Sequence, residues 1–233
     1  MNKFALRNWL GNQWSEWRNT LLFFVALVMV KSSFADWNWV PTGSMNPTIV
    51  EGDMVYINKL AYDLRIPLTL KRINEWGHPK KGDIAVLLSP EDEKRLVKRV
   101  IGIPGDRVEM RDQILLINGE PLEYGPLPEN KSADVEKQLR ENSIFATEVL
   151  GNQPHAVMST PALRGSSSSF GAFVVPEGKY FVMGDNRDNS RDSRAIGLVD
   201  RELFLGRAER VLVSFDILDW YQPRLSRFFT KLN

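Results

Sequence analysis

Ten consecutive apolar residues, Leu21–Val30 (LLFFVALVMV), flanked by Arg18 and Lys31, constrain this chain more than any other feature. A helix that crosses hydrocarbon needs about 20 mostly apolar residues. The run reaches that length only by recruiting Trp14, Trp17 and Thr20 upstream and Phe34, Trp37 and Trp39 downstream. Tryptophans suit both membrane interfaces, and the flanking arginine and lysine can snorkel. Leu6, Trp9, Leu10, Trp14, Trp17 and Leu21 follow helical i, i+3, i+4 spacing, as in a surface-lying amphipathic helix. Lys3, Arg7 and Arg18 precede the run, which puts the N-terminus in the cytoplasm and the bulk of the chain outside. Residues 1–36 are therefore expected to form an amphipathic and transmembrane anchor. A cleavable leader ending at Ser33-Phe34-Ala35 and a buried core helix are the competing readings.

After Val40 the pattern changes to period two and short apolar runs. Met54–Ile57, Ile84–Leu88, Leu96–Ile101, Ile114–Ile117, Ala172–Val175, Tyr180–Met183 and Arg210–Phe215 read as strands. Pro104-Gly105-Asp106, Asn118-Gly119 (a two-residue hairpin signal) and Pro176-Glu177-Gly178 supply turns between them. Many short strands with little helix predict a mainly β body, a sandwich or barrel. Residues 119–171 are more polar, with a weak helical patch at Ser132–Arg140 and serines at 166–169, and read as an inserted cap. The β body is then 37–118 joined to 172–233.

Composition removes whole classes of chemistry. The 233 residues contain no cysteine, so thiol nucleophiles, disulfides, zinc thiolates and iron–sulfur ligation are excluded. His78 and His155 are the only histidines, too few for a three-histidine metal site, and neither accompanies a nucleophile-elbow pattern. Thirty basic against twenty-nine acidic residues leave a net charge of +1, with no global field for nucleic acid. No metal and no cofactor are expected.

Three segments stand out. Pro41-Thr42-Gly43-Ser44-Met45-Asn46-Pro47-Thr48 is a stiffened loop that can hold a small side chain and neighbouring amides in place. In Arg95–Ile101, read as a strand, Lys98 shares a side with Leu96 and Val100 while Arg99 lies with Val97 and Ile101. A lysine on an apolar face is desolvated, which lowers its pKa and frees a neutral amine to take a proton from a serine hydroxyl. The third, Gly184–Arg194 (GDNRDNSRDSR), has no large apolar side chain and suits a loop that braces a site from behind. Taken separately, each segment also reads as an ordinary turn, a sheet-edge lysine and a solvated loop.

Together they closely resemble type I signal peptidases, membrane-anchored Ser-Lys endopeptidases. The resemblance rests on VPTGSMNPTIVEGD (Val40–Asp53), KKGDIAVL (Lys80–Leu87), LVKRVIGIPGDRVE (Leu96–Glu109), YFVMGDNRDNSRDSR (Tyr180–Arg194) and, more weakly, GRAERVLVSFD (Gly206–Asp216). It implies a signal-peptidase-like antiparallel β-barrel or sandwich with Ser44 as nucleophile and Lys98 as general base. It further implies an oxyanion hole from the Ser44 N–H and the Thr42 hydroxyl, where many members carry serine. Ser190 would orient the lysine, and Asp192 and Arg194 would form an ion pair steadying the loop. Val40, Pro41, Met45, Ile49, Leu96 and Val97 would bind substrate. Asn46 departs from the family, which often has an apolar residue there. The resemblance places the catalytic body on the outer, periplasmic side of a bacterial cytoplasmic membrane. Its implied partners are signal peptides of exported preproteins, the lipid bilayer and the secretion machinery. A specialised pilin-type or single-substrate Ser-Lys peptidase, and a catalytically idle β scaffold, are the alternatives.

Overall fold

The computed structural model describes residues 3–69, 71–163 and 168–232, with side chains from Trp17 onward. The side chains of Leu6, Trp9, Leu10 and Trp14, which carry the expected amphipathic pattern, lie outside the described residues, as do Ser166 and Ser167. Helix α1 spans Lys3–Ser33, and every residue from Leu21 to Val30 is exposed. Its last carbonyls have no intrahelical partner. Lys59 Nζ supplies one, donating to the carbonyls of Lys31 (3.0 Å) and Ser32 (2.9 Å). Among the described residues no helix is long and apolar enough to cross a membrane. The expected membrane-spanning helix is therefore not met in that form. The ten apolar residues rise about 15 Å, half of a hydrocarbon core of about 30 Å.

After α1 the strands are β1 (Ala35–Trp39), β2 (Asp53–Asn58), β3 (Ile84–Leu88), β4 (Arg95–Gly102), β5 (Arg107–Arg111) and β6 (Ile114–Ile117). They continue as β7 (Glu123–Pro126), β8 (Ile144–Leu150), β9 (Gln153–Ser159), β10 (Phe170–Val174), β11 (Lys179–Met183) and β12 (Phe204–Asp216). The largest sheet runs β1-β2-β12-β3-β4-β11, antiparallel throughout. Both of its faces are buried. Ile84 and Val86 of β3 enter one apolar cluster, whereas Ala85 and Leu87 enter another. In β11, Tyr180 and Val182 face the second cluster and Phe181 and Met183 a third. That is why these strands read as unbroken apolar runs and not as a clean alternation.

The expectation of a mainly β, antiparallel body holds; six of the seven expected strands fall within an observed one, and the seventh, Ala172–Val175, overruns β10 by one residue. Asn118 and Gly119, at φ 57° and 90°, make the expected two-residue turn between β6 and Glu120–Pro121. β10, β5 and β6 form a second sheet, which Glu120–Pro121 joins beyond β6. Between residues 119 and 171 the structure differs from the sequence reading. A three-stranded sheet, β7-β8-β9, occupies much of this stretch, and the helical patch shrinks to Lys137–Glu141. Buried polar residues on the β8–β9 hairpin, Glu148 and His155, hide these strands in a polar composition.

Glu148 is also one of the hairpin's links to the rest of the molecule, beside the main-chain bonds of Met158 with Asp185 and Arg187. Its carboxylate accepts two bonds from Arg187 (2.6 and 2.8 Å) and one from Tyr124 Oη (2.5 Å), and His155 Nε2 lies 3.2 Å away. Breaking a buried ion pair from one side leaves an uncompensated charge and costs about 3–5 kcal/mol, whereas replacing both partners by apolar groups is often near neutral. Glu148→Ala should therefore lower stability by about 3–5 kcal/mol in urea unfolding. The double change Glu148→Met with Arg187→Met should recover most of that loss.

Candidate active site

The loop after β1 carries Ser44 in a single 3-10 turn, Gly43–Met45, entered from an extended Thr42 (φ −138°, ψ 147°). Main-chain carbonyls hold this turn. The Asn46 N–H donates to Gly43 O (3.1 Å) and the Ile49 N–H to Met45 O (3.0 Å). From the Gly184–Arg194 loop, the Asn186 N–H donates to Ser44 O (3.1 Å) and Asn186 Nδ2 to Gly43 O (3.0 Å). Two glycines permit this proximity. A Cβ on Gly43 would meet Glu51 Oε1 at 2.5 Å, and one on Gly184 would meet Ser44 O and Ser190 Oγ at 2.3 Å each.

Lys98 stands on β4, on the side of Leu96 and Val100, as the alternation requires. It is 3% exposed, and its Nζ donates to Ser44 Oγ at 2.7 Å and to Val97 O at 3.1 Å. Burial pulls its pKa from 10.5 down to about 8, against the charges of Asp192 and Asp185, which favour the ammonium. The lysine and serine, 54 positions apart in sequence, thus share one hydrogen bond at a lysine almost closed to water.

The neighbouring Arg99 and Asp185 fasten this arrangement. Arg99 Nε and Nη2 each donate to Asp185 at 2.8 Å, and Nη1 donates to Gly82 O at 2.9 Å. Thr48 Oγ1 donates to the same carboxylate at 2.5 Å. Burial opposes ionisation of Asp185, but Arg99 outweighs it and holds the carboxyl below its usual range. Asp185 therefore joins the strand bearing Lys98, the loop bearing Ser44 and its own bracing loop. Sequence reading missed Asp185, Asn186 and Thr48 as individuals. One signal was available, because Arg99 alternates onto the side of Val97 and Ile101, and an arginine buried there demands a carboxylate.

The remaining expected residues divide. Asp192 and Arg194 form a bidentate pair, both bonds 2.8 Å, and Asp192 also accepts the Gly184 N–H at 2.9 Å. Ser190 lies against Gly184, yet its hydroxyl is not among the partners of Lys98 Nζ. Val40, Met45 and Ile49 share one apolar cluster, against which Val97 packs, while Leu96 packs on the other face of the sheet. Val40 and Pro41 instead open onto an apolar cleft of about 520 Å³ completed by Trp39, Gly52, Phe215, Ile217 and Tyr221. Thr42 is exposed and its hydroxyl does not cap the turn. Among the described residues no cluster of His, Asp and Glu is arranged to hold a metal ion.

The family model for "Signal peptidase, peptidase S26" matches residues 14–213. Signal peptidase I of Pseudomonas fluorescens is 35% identical over 217 residues, covering 88% of this chain and 72% of that one. Signal peptidase I of Rickettsia canadensis is 32% identical over 221 residues, covering 88% and 82%. A crystal structure of a signal peptidase I from Enterococcus faecalis, 32% identical, covers 56% of this chain and 97% of that one with a TM-score of 0.36. The chain belongs to the signal peptidase family, peptidase S26.

A base that must be neutral to act ties any reaction of this pair to pH. Cleavage of a soluble peptide should rise about tenfold per pH unit below about 8 and level off above it. The same shift makes stability climb between about pH 8 and 10.5, where the unfolded chain binds the proton that the folded chain has released. A pH–rate profile and urea unfolding across that window check both. Gly184→Ala should cut activity severely, because its Cβ displaces either the Ser44 carbonyl or Ser190.

Proposed function

We propose that this signal peptidase hydrolyses the peptide bond of preproteins with Ser44 as nucleophile and neutral Lys98 as general base. The observation that carries the reading is the 2.7 Å bond between Ser44 Oγ and a lysine amine buried away from water. Ser44 Oγ attacks the scissile carbonyl carbon as its proton passes to Lys98 Nζ. The tetrahedral adduct collapses to an ester on Ser44, and the Lys98 ammonium returns the proton to the departing amine. Lys98 then takes a proton from water, the resulting hydroxide attacks the ester, and the new carboxylate leaves as Ser44 regains its proton. The oxyanion that forms twice along this path is stabilised by the Ser44 N–H and the Thr42 hydroxyl. Ser190, Asp192 and Arg194 act behind the lysine.

An extended substrate pairs with the chain near Val40–Pro41 and Leu96–Lys98. Val40 and Val97 face its small side chains, with Met45 and Ile49 as the packed floor beneath, and Leu96 supports the strand from its other face. The neighbouring cleft of Trp39, Phe215, Ile217 and Tyr221 supports a preference for an apolar stretch ahead of the cut. Shallow walls exclude large residues by bulk, which yields an A-x-A preference without charged contacts.

The exposed band Leu21–Val30 of α1, followed by exposed Phe34, Trp37 and Trp39, beds in the bilayer and anchors the enzyme. The proposed topology keeps the N-terminal basic residues on the cytoplasmic side and the β body outward, where signal peptides emerge from the secretion machinery. Because the ten-residue band covers only about half the hydrocarbon, the flanking Trp14, Trp17 and Thr20 and the following Phe34 have to complete the crossing.

Ser44→Ala and Lys98→Ala should each abolish cleavage of a preprotein while leaving expression and membrane association intact. Lys98→Arg should be equally inactive, because a guanidinium does not give up its proton. Thr42→Val should lose about 100- to 1000-fold in kcat, as removal of an oxyanion donor does elsewhere, and Thr42→Ser should be mild. Retained cleavage in either alanine variant overturns the reading.

A further inference from the structure

Residues Asp63–Arg65 and Arg72–Glu75 form a two-stranded hairpin separate from the other sheets. Charge fastens its base. Buried Asp63 lies 3.0 Å from Arg65 Nε, 2.9 Å from Arg72 Nε and 3.3 Å from Arg201 Nη1. Arg65 also donates to Phe204 O, Arg72 to Arg201 O (2.9 Å), Arg201 to Gly77 O (2.8 Å) and Trp76 Nε1 to Leu60 O (2.8 Å). The apolar side chains do the opposite. Ile66 is 42% exposed, Leu68 75%, Ile73 60% and Trp76 52%, and none joins an apolar cluster of the core. Leu68 is held at φ 61°, in the left-handed region that bulky residues rarely occupy. A stem pinned by buried charges that carries an apolar tip into solvent serves no purpose in packing the core, and such patches mark surfaces that something covers.

The location of the tip identifies what covers it. The Leu68 N–H donates to Ser32 Oγ at 2.5 Å, so the tip adjoins the C-terminal end of α1, directly after its exposed apolar band. Of the basic groups at this junction, Lys59 is taken up by the carbonyls of Lys31 and Ser32 and by Asp36, Lys31 is half-exposed beside Asp36, and Lys71 forms no ion pair among the described residues. Of the acidic groups close by, Asp36 is met by Lys31, Lys59 and Arg95, and Glu75 by Arg72, Arg201 and His78. An apolar tip continuous with an apolar helix and edged by lysines matches a bilayer with anionic headgroups.

We propose that this hairpin is a second membrane contact. Ile66, Leu68 and Ile73 enter the interfacial layer beside α1, and Lys31 and Lys71 meet anionic phospholipid headgroups. The proposal rests on the reading of α1 as the anchor. A helix alone leaves the body free to swivel about one tether, whereas a second, rigid contact sets the height and tilt of the cleft above the lipid.

The absence of native cysteine allows single-site labelling of the full chain. Leu68→Cys, Val25→Cys on α1 and Glu120→Cys on the second sheet each receive an environment-sensitive fluorophore. Each labelled chain is mixed with vesicles of phosphatidylcholine containing one-third phosphatidylglycerol. The Leu68 and Val25 labels should shift to the blue and brighten at least about twofold, with the Glu120 label unchanged. A response at Val25 without one at Leu68 sinks the hairpin proposal and leaves the anchor standing. No response at either sinks the anchor reading and the proposal together, and a response at all three means indiscriminate adsorption, which also overturns it. In a second arm, the variant Leu68→Asp with Ile73→Asp should cleave a short soluble peptide at the normal rate. It should cleave a vesicle-embedded preprotein about tenfold more slowly. Equal loss on both substrates, or no loss on either, counts against the hairpin.

Discussion

The carboxylate of Asp185 is the point on which the site depends. It is charged, buried, and shared by a guanidinium from the strand that carries Lys98 and a hydroxyl from the loop that carries Ser44. An ion in such a place is tolerable only when fully matched, and a fully matched ion fixes geometry because any displacement leaves charge unpaired in a low dielectric. The distance between Ser44 and Lys98 is thus set one layer behind them. Neither side chain has to be held by its own contacts with solvent or substrate.

The two halves of the pair are prepared by different physics. Ser44 is placed by main-chain bonding, with the carbonyls of Gly43, Ser44 and Met45 all engaged, two of them by Asn186. Lys98 is prepared by exclusion of water, since the aliphatic side chains of its own strand face share its surroundings. The loop Gly184–Arg194 serves both ends at once. Its Asn186 restrains the turn of Ser44, its Asp185 restrains the strand of Lys98, and its Asp192–Arg194 pair closes the loop on itself at Gly184.

Much of this arrangement was legible in the sequence, and the boundary of legibility has a physical basis. Strands buried on both faces announce themselves as apolar runs, and the side of β4 on which Lys98 lies follows from the strand period alone. β8 and β9 escaped because Glu148 and His155 occupy buried positions that composition assigns to solvent. Nothing local to residues 144–159 reveals that Arg187 neutralises Glu148 from a loop some thirty positions later. Ser190 shows the converse limit: the motif brings it beside Gly184, but its hydroxyl bond is a matter of rotamer, which spacing does not specify. The apolar run marked the exposed band of α1, while the flanking tryptophans did not turn α1 into a helix apolar enough to span a bilayer.

The lowered basicity of Lys98 belongs to the folded sheet and not to the residue. Falling from 10.5 to about 8 raises the proportion of uncharged amine at neutral pH by roughly 300-fold. A chain that has not yet buried Lys98 carries an ordinary ammonium there and, on the proposed mechanism, lacks the base for Ser44. On the proposed mechanism, competence to cleave arrives only once folding has buried that amine.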